Sequence, residues 1–126
     1  MAEGRIGLVK TYQPLAYALR EGVEIKLAVG AEIFEGDILK TDSDGTVGII
    51  FSDGAVLTLG PSGQLVVEKF LFKPDDKKVS FLSRVMHGTV SFVSGAIGRI
   101  SPGAVQFTTP TATLGLRGTK ILINVD

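Results

Sequence analysis

Gly118-Thr119 is the one pair in this chain whose residue types point at covalent chemistry. Thr119 offers a hydroxyl nucleophile. Gly118 before it permits a peptide geometry that other residues resist. Such a nucleophile needs a general base, and His87 is the only histidine. Spacing alone does not bring the two together. A bulge at Gly118 and an ordinary strand residue at Thr119 is the simpler reading and carries the greater weight. Arg117 precedes the pair and, with Thr119, is the candidate binding residue. Its guanidinium suits a carboxylate such as Asp53 or Asp37, or a bound anion. Of these, a pairing that holds a turn in place is favoured.

Other chemistry-bearing residues read as turns or solvated loops. Asp42-Ser43-Asp44-Gly45 has the look of a calcium loop but lacks the further carboxylates and the late bidentate glutamate. Aspartates also start turns by bonding their own backbone. His87 sits in Met86-His87-Gly88 without partners for a metal site. Ser94-Gly95-Ala96-Ile97-Gly98 lacks the lysine ending of a phosphate loop and a helical pattern after it. Glu32 and Glu35 are spaced as turn flanks, and Lys73, Lys77 and Lys78 are offset by Asp75 and Asp76. No metal, cofactor or catalytic set is expected.

The 126 residues provide for one domain, residues 1–126. A chain of this size buries roughly two-thirds of its unfolded surface, enough for one core. Thirteen basic residues balance thirteen acidic ones. That balance gives no electrostatic basis for nucleic acid or anionic membrane as partner. Without cysteine there is no disulfide, thiolate metal site or cysteine nucleophile. No apolar run approaches the roughly 18–20 residues of a membrane helix. Met1-Ala2-Glu3-Gly4 leads into patterned sequence with no visible signal peptide. Mean hydropathy is +0.33, which fits a chain with a partner or self-association surface.

Sixteen glycines and five prolines cut the chain into short segments with a period of two. Strands are expected at Ile6 to Tyr12, with Ile6, Leu8 and Lys10 sharing a face. Others follow on the faces Leu15-Tyr17-Leu19 and Val23-Ile25-Leu27. Glu35-Gly36-Asp37 and Asp42 to Gly45 read as turns. Val47, Ile49 and Phe51 then point one way. Asp53-Gly54 marks a hairpin. Ala55, Leu57 and Leu59 alternate, Gly60-Pro61-Ser62-Gly63 turns, and Leu65 and Val67 continue. Phe70 to Lys78 is the expected loop. Strands resume at Val79 to Met86 and Thr89 to Ser94 around a turn at His87-Gly88; Gly95, Gly98 and Gly103 punctuate the next stretch, and Val105 and Phe107 precede Pro110. Pro110 holds Thr109 extended. Thr111 to Leu116 alternates with one buried face, and Ile121, Ile123 and Val125 resume the pattern beyond Gly118. Turns every ten residues or so are the mark of an all-β domain. A β-solenoid-like stack and a small β-sandwich both satisfy the pattern.

Three segments in order give the chain a family resemblance. Gly30-Ala31-Glu32-Ile33-Phe34-Glu35-Gly36-Asp37-Ile38-Leu39-Lys40-Thr41 is the first. The run from Gly45 to Pro61, with its aspartate turn at Asp53-Gly54, is the second. Thr109-Pro110-Thr111-Ala112 followed by Leu116-Arg117-Gly118-Thr119 and a β-branched strand to Val125 is the third. Together they resemble the FecR domain family over about residues 5–125.

The resemblance implies an extracytoplasmic all-β domain of bacteria, non-enzymatic in most readings. In the family's best-known setting it is the periplasmic part of an anti-sigma regulator. There it relays a signal from a TonB-dependent outer-membrane receptor. This chain shows no anti-sigma segment, membrane helix or receptor-contacting domain. The expectation is therefore an exported periplasmic interaction or sensing module that takes a protein partner of the envelope, by strand edges or loops. Two alternatives accompany it. Some regulators resembling this domain cut themselves at a matching Gly-Thr bond by an N-to-O acyl shift, which here would fall at Gly118–Thr119. The other is binding of envelope glycan such as peptidoglycan, for which Tyr12 and Tyr17 are the evident aromatics.

Overall fold

The computed structural model describes residues 4–13, 16–116 and 118–126, with the main chain alone at Tyr12 and Gln13. Twelve strands run β1 (Arg5–Gln13), β2 (Ala16–Arg20), β3 (Val23–Lys26), β4 (Glu32–Phe34), β5 (Ile38–Thr41), β6 (Thr46–Phe51), β7 (Val56–Leu59), β8 (Gln64–Lys73), β9 (Lys78–Val93), β10 (Val105–Thr108), β11 (Thr113–Gly115) and β12 (Lys120–Val125). One short helix, α1 (Ala96–Ile100), follows β9. All strands join one curled sheet, a half-barrel, and the domain is all-β.

Strand β9 organises this sheet. Its first half pairs with β8 on one side and with β10, in parallel, on the other. Its second half pairs with β7 and with β12. Two wings leave β9: β8-β5-β2-β3 and β7-β6-β1-β4. They fold over a single core, so the strands surround one interior rather than stacking as rungs. Val47, Ile49, Phe51, Leu57 and Leu59 from one wing meet Leu39, Leu65 and Val67 from the other in that core.

The core face matches the alternation of the sequence in the middle of the chain and departs from it elsewhere; of the alternation expected from Thr111 to Leu116, only Thr113–Gly115 is strand, because Thr109 to Ala112 closes a turn. The loop expected from Phe70 to Lys78 is a strand as far as Lys73, and the connection is a single 3₁₀ turn over Pro74–Asp76. Phe70 and Phe72 are drawn into the ladder opposite Phe81 and Val79, because their rings supply apolar cover. The turn expected at His87-Gly88 is a bulge in an uninterrupted strand, where the register slips between Gln64–His87 and Leu65–Val85. Gly88 takes a φ of 95°, and a Cβ there would lie 2.6 Å from the Cα of Gly63. The bulge lets β9 bend from one wing into the other.

The remaining departures are local. Helix α1 was not expected, since the glycines around it hide any helical period. In β1, Val9 is buried and Lys10 is exposed, because the pairing with β6 slips between Val9 and Thr11. In β2 the buried residues are Ala16 and Ala18, leaving Tyr17 and Leu19 half-buried on the other face. Leu15 lies outside the described residues. Ala16 and Ala18 are almost fully buried, and larger side chains there would overfill the core.

Candidate functional site

Gly118 and Thr119 form the turn between β11 and β12, and both are exposed. Gly118 has a φ of 75°. Ser94 N–H donates to the Thr119 carbonyl at 2.8 Å, which continues the β9–β12 ladder by one step. His87 stands at the other end of that ladder, beyond the Gly88–Val125 pair. Ser94 and His87 are therefore seven residues apart along the chain, up to about 23 Å at roughly 3.3 Å per residue. Arg117 lies outside the described residues.

The two carboxylates considered for Arg117 have other partners. Arg20, which sequence reading passed over, reaches Asp37 with both arms of its guanidinium. Nε donates to Oδ1 at 2.8 Å and Nη2 to Oδ2 at 2.7 Å. Nη2 also donates to the Glu32 carbonyl at 3.1 Å, and Phe34 N–H donates to Asp37 Oδ2 at 2.9 Å. The guanidinium lies 4.5 Å from the Phe34 ring centre. The hydrogen bond to Asp37 raises the Arg20 pKa above its ordinary value. Burial opposes it, and the charges of Asp37, Glu21 and Glu32 add to the rise. A raised pKa means that the contribution is complete below the ordinary arginine range and is lost only at still higher pH, beyond working conditions. The β2–β5 pairing through Leu19–Ile38 sets Arg20 beside Asp37, a register that no local pattern of the sequence signals.

Asp53 is buried and joins the β6–β7 hairpin to α1. Its Oδ1 accepts from Ala55 N–H at 3.0 Å and its Oδ2 from Ile97 N–H at 3.1 Å. Its carbonyl accepts from Ala96 N–H at 2.9 Å. The carboxylate thus caps a helix that begins more than forty residues later in the chain. Asp53→Ala is expected to cost about 1–3 kcal/mol, since it leaves two buried donors unpaired. Thermal melting checks the loss. Faster amide exchange at Ala55 and Ile97, the two donors to the carboxylate, checks its cause.

The other expected sites are ordinary turns and strands. Asp42 to Gly45 closes through Gly45 N–H to the Asp42 carbonyl at 3.0 Å. Among the described residues no three histidine or acidic side chains gather as metal ligands would. Glu35 accepts from Phe70 N–H at 2.9 Å, and Glu32 pairs with Arg5 at 3.1 Å. Tyr17 stands between Lys26 and Lys40 of the neighbouring strands.

Two free strand edges remain beside the Gly118-Thr119 turn. Among the described residues, β11 pairs with β10 alone and β12 with β9 alone. An open groove runs between them in two troughs. One, of about 540 Å³, lies between the Thr109–Ala112 turn and the last residues of β12. The other, of about 470 Å³, lies between β11 and Lys120, Ile121 and Leu122. Leu122 is 67% exposed there. The Thr109 hydroxyl holds the turn at the groove's end by accepting from Ala112 N–H at 3.1 Å.

The family profile described as FecR protein matches residues 37–126. The chain belongs to the FecR family. The matched span holds the Asp37 turn, the Asp53-Gly54 hairpin and the Gly118-Thr119 turn with both edges. The part of the resemblance carried by Gly30 to Gly36 lies before it. Strands β1 to β4 also precede the matched span, yet β1 pairs with β6 and β2 with β5, so they complete the same sheet. Neither the curated proteins nor the solved structures returned a match to this chain. A FecR-like regulatory domain is the function that membership supports. No helix among the described residues is long and apolar enough to cross a membrane.

Proposed function

We propose that this FecR-family chain is a non-enzymatic interaction and sensing module of the bacterial periplasm. It takes an envelope protein as partner, in the manner of the periplasmic part of a regulator of TonB-dependent signalling. The observation that carries this reading is the pair of unpaired strand edges within the family-matched span. Edges present rows of main-chain donors and acceptors, which another chain can satisfy by strand addition.

Photo-crosslinking in the native host tests it, with a photoreactive residue placed at Leu122 and, separately, at Val23 on the opposite edge. A discrete envelope protein captured at either position supports the reading. Recovery of the domain alone at both positions removes it. Retention on purified peptidoglycan, unchanged by substitutions at either edge, would move the function to glycan binding.

Self-cleavage at Gly118–Thr119 is expected not to occur, since His87 sits at the far end of the ladder from Thr119. Intact mass spectrometry after long incubation should show one uncut mass. Fragments that disappear in Thr119→Ala would reverse this expectation.

A further inference from the structure

We propose that the free edge of β3 is the contact through which this chain pairs with a second copy of itself, antiparallel about a two-fold axis at Ile25. The inference does not depend on the interaction-module reading and leaves the β11 and β12 edges to a partner.

The main path of the sheet ends in two edges, β3 and β4. On β4 the outward groups are already held. The Glu32 carbonyl accepts from Arg20, and Phe34 N–H donates to Asp37. On β3 the phase of the ladder decides which groups face outward. Glu21 (φ 52°) and Gly22 (φ 79°) close a two-residue hairpin between β2 and β3. Leu27 N–H donates to the Ala16 carbonyl at 3.0 Å. Main-chain groups alternate in direction along a strand, so Val23 and Ile25 also bond toward β2. Glu24 and Lys26 therefore turn their N–H and C=O groups away from the sheet. Among the described residues β3 pairs with β2 alone. The edge carries no proline to block strand addition.

Two-fold pairing must set outward residues opposite outward residues. Within β3 that allows Glu24 on Glu24, Lys26 on Lys26, or Glu24 on Lys26. The first two place like charges directly opposite each other. The last places opposite charges on both sides of the axis and Ile25 on Ile25 at the axis itself. Each Glu24 then exchanges both main-chain bonds with Lys26 of the second copy. Side chains fit the same register. Glu24 and Lys26 are exposed on the outer face, opposite Leu19 and Tyr17 of β2. Ile25 lies opposite the buried Ala18, so it and Val23 share the core side. Val23 is 61% exposed there, and the pairing covers it with Leu27 of the second copy. So short an edge belongs with weak interfaces, below about 1,200 Å² of buried surface.

Sedimentation equilibrium of the full chain at low salt tests the proposal, from about 10 μM to about 1 mM. The parent should pass from monomer to dimer across that range. Glu24→Lys and Lys26→Glu each set like charges opposite each other and should each weaken self-association by about tenfold. An equimolar mixture of these two variants restores both opposite pairs and should associate about as well as the parent. The double variant Glu24→Lys with Lys26→Glu should do the same. Both positions are exposed, so the variants keep the fold. Amide exchange at Glu24 and Lys26 should slow as the parent concentration rises. A monomer at every concentration overturns the proposal. So does a dimer that ignores the charge variants, or a mixture that associates no better than its components. Capture of an envelope protein instead of a second copy by crosslinking at Val23 assigns this edge to that partner and also overturns it.

Discussion

Phe81→Ala is expected to be among the most damaging single substitutions in this domain. Phe81 is fully buried on β9, where the two wings meet. Its ring lies 5.1 Å from Phe51 in an edge-to-face contact at 90°, 5.0 Å from Phe92, 5.8 Å from Phe107 and 6.0 Å from Phe70. Phe51 and Phe70 also stack on each other at 5.7 Å, and Phe92 meets Phe107 at 5.0 Å. Removing the central ring removes a partner from four others, and rigid strands on both sides limit collapse of the space. The cost is about 3–5 kcal/mol, of which aromatic geometry beyond area burial supplies part. That is a large share of the total stability of a small domain. The melting temperature should fall by more than about 10 °C, at a few degrees per kcal/mol. Phe81→Leu keeps most of the volume and should lose under half as much. A melt of Phe81→Ala within a few degrees of the parent would mean that the rings repack freely.

This cluster shows what the sequence makes legible. Alternation placed Phe51 on one inward face with Val47 and Ile49 correctly, because it lies in a short strand with regular neighbours. It placed Phe70 in a loop, because Pro74-Asp75-Asp76-Lys77-Lys78 draws the eye to solvent. The charges occupy only the tip, and the strand continues up to it. His87-Gly88 misled in the opposite direction. A glycine after a polar residue signals a reversal, yet here it is a bulge that carries one strand between two wings. Local patterns report which residues face inward. They do not report register, and register alone brings Arg20 to Asp37 or Asp53 to Ile97. The turn at Gly118-Thr119 was legible as an interruption. The free edges on either side of it were not, since an edge is defined by the strands that are missing beside it.

Arg20→Ala is the second substitution with a large expected effect, and its cause is electrostatic. The Asp37 side chain is 1% exposed and the Arg20 side chain 31%. Water reaches the guanidinium but hardly the carboxylate. Deleting Arg20 leaves Asp37 with Phe34 N–H as its one remaining donor among the hydrogen bonds of this cluster. Breaking a buried pair costs about 3–5 kcal/mol, and the partial exposure of Arg20 places this case at about 3. Loss of the stacked contact on Phe34 adds to the damage. Arg20→Lys should not rescue it fully, because an ammonium cannot reach both carboxylate oxygens and the Glu32 carbonyl in the plane that the guanidinium occupies. The double variant Arg20→Met with Asp37→Leu removes both charges and should be more stable than Arg20→Ala. A positive coupling of about 1–3 kcal/mol in the denaturant cycle identifies the pair as the source. Additive losses would mean that Arg20 acts through packing alone. Because Asp37 opens the family-matched span and Arg20 precedes it, a strong coupling also ties the β2 wing to the family fold as one cooperative unit.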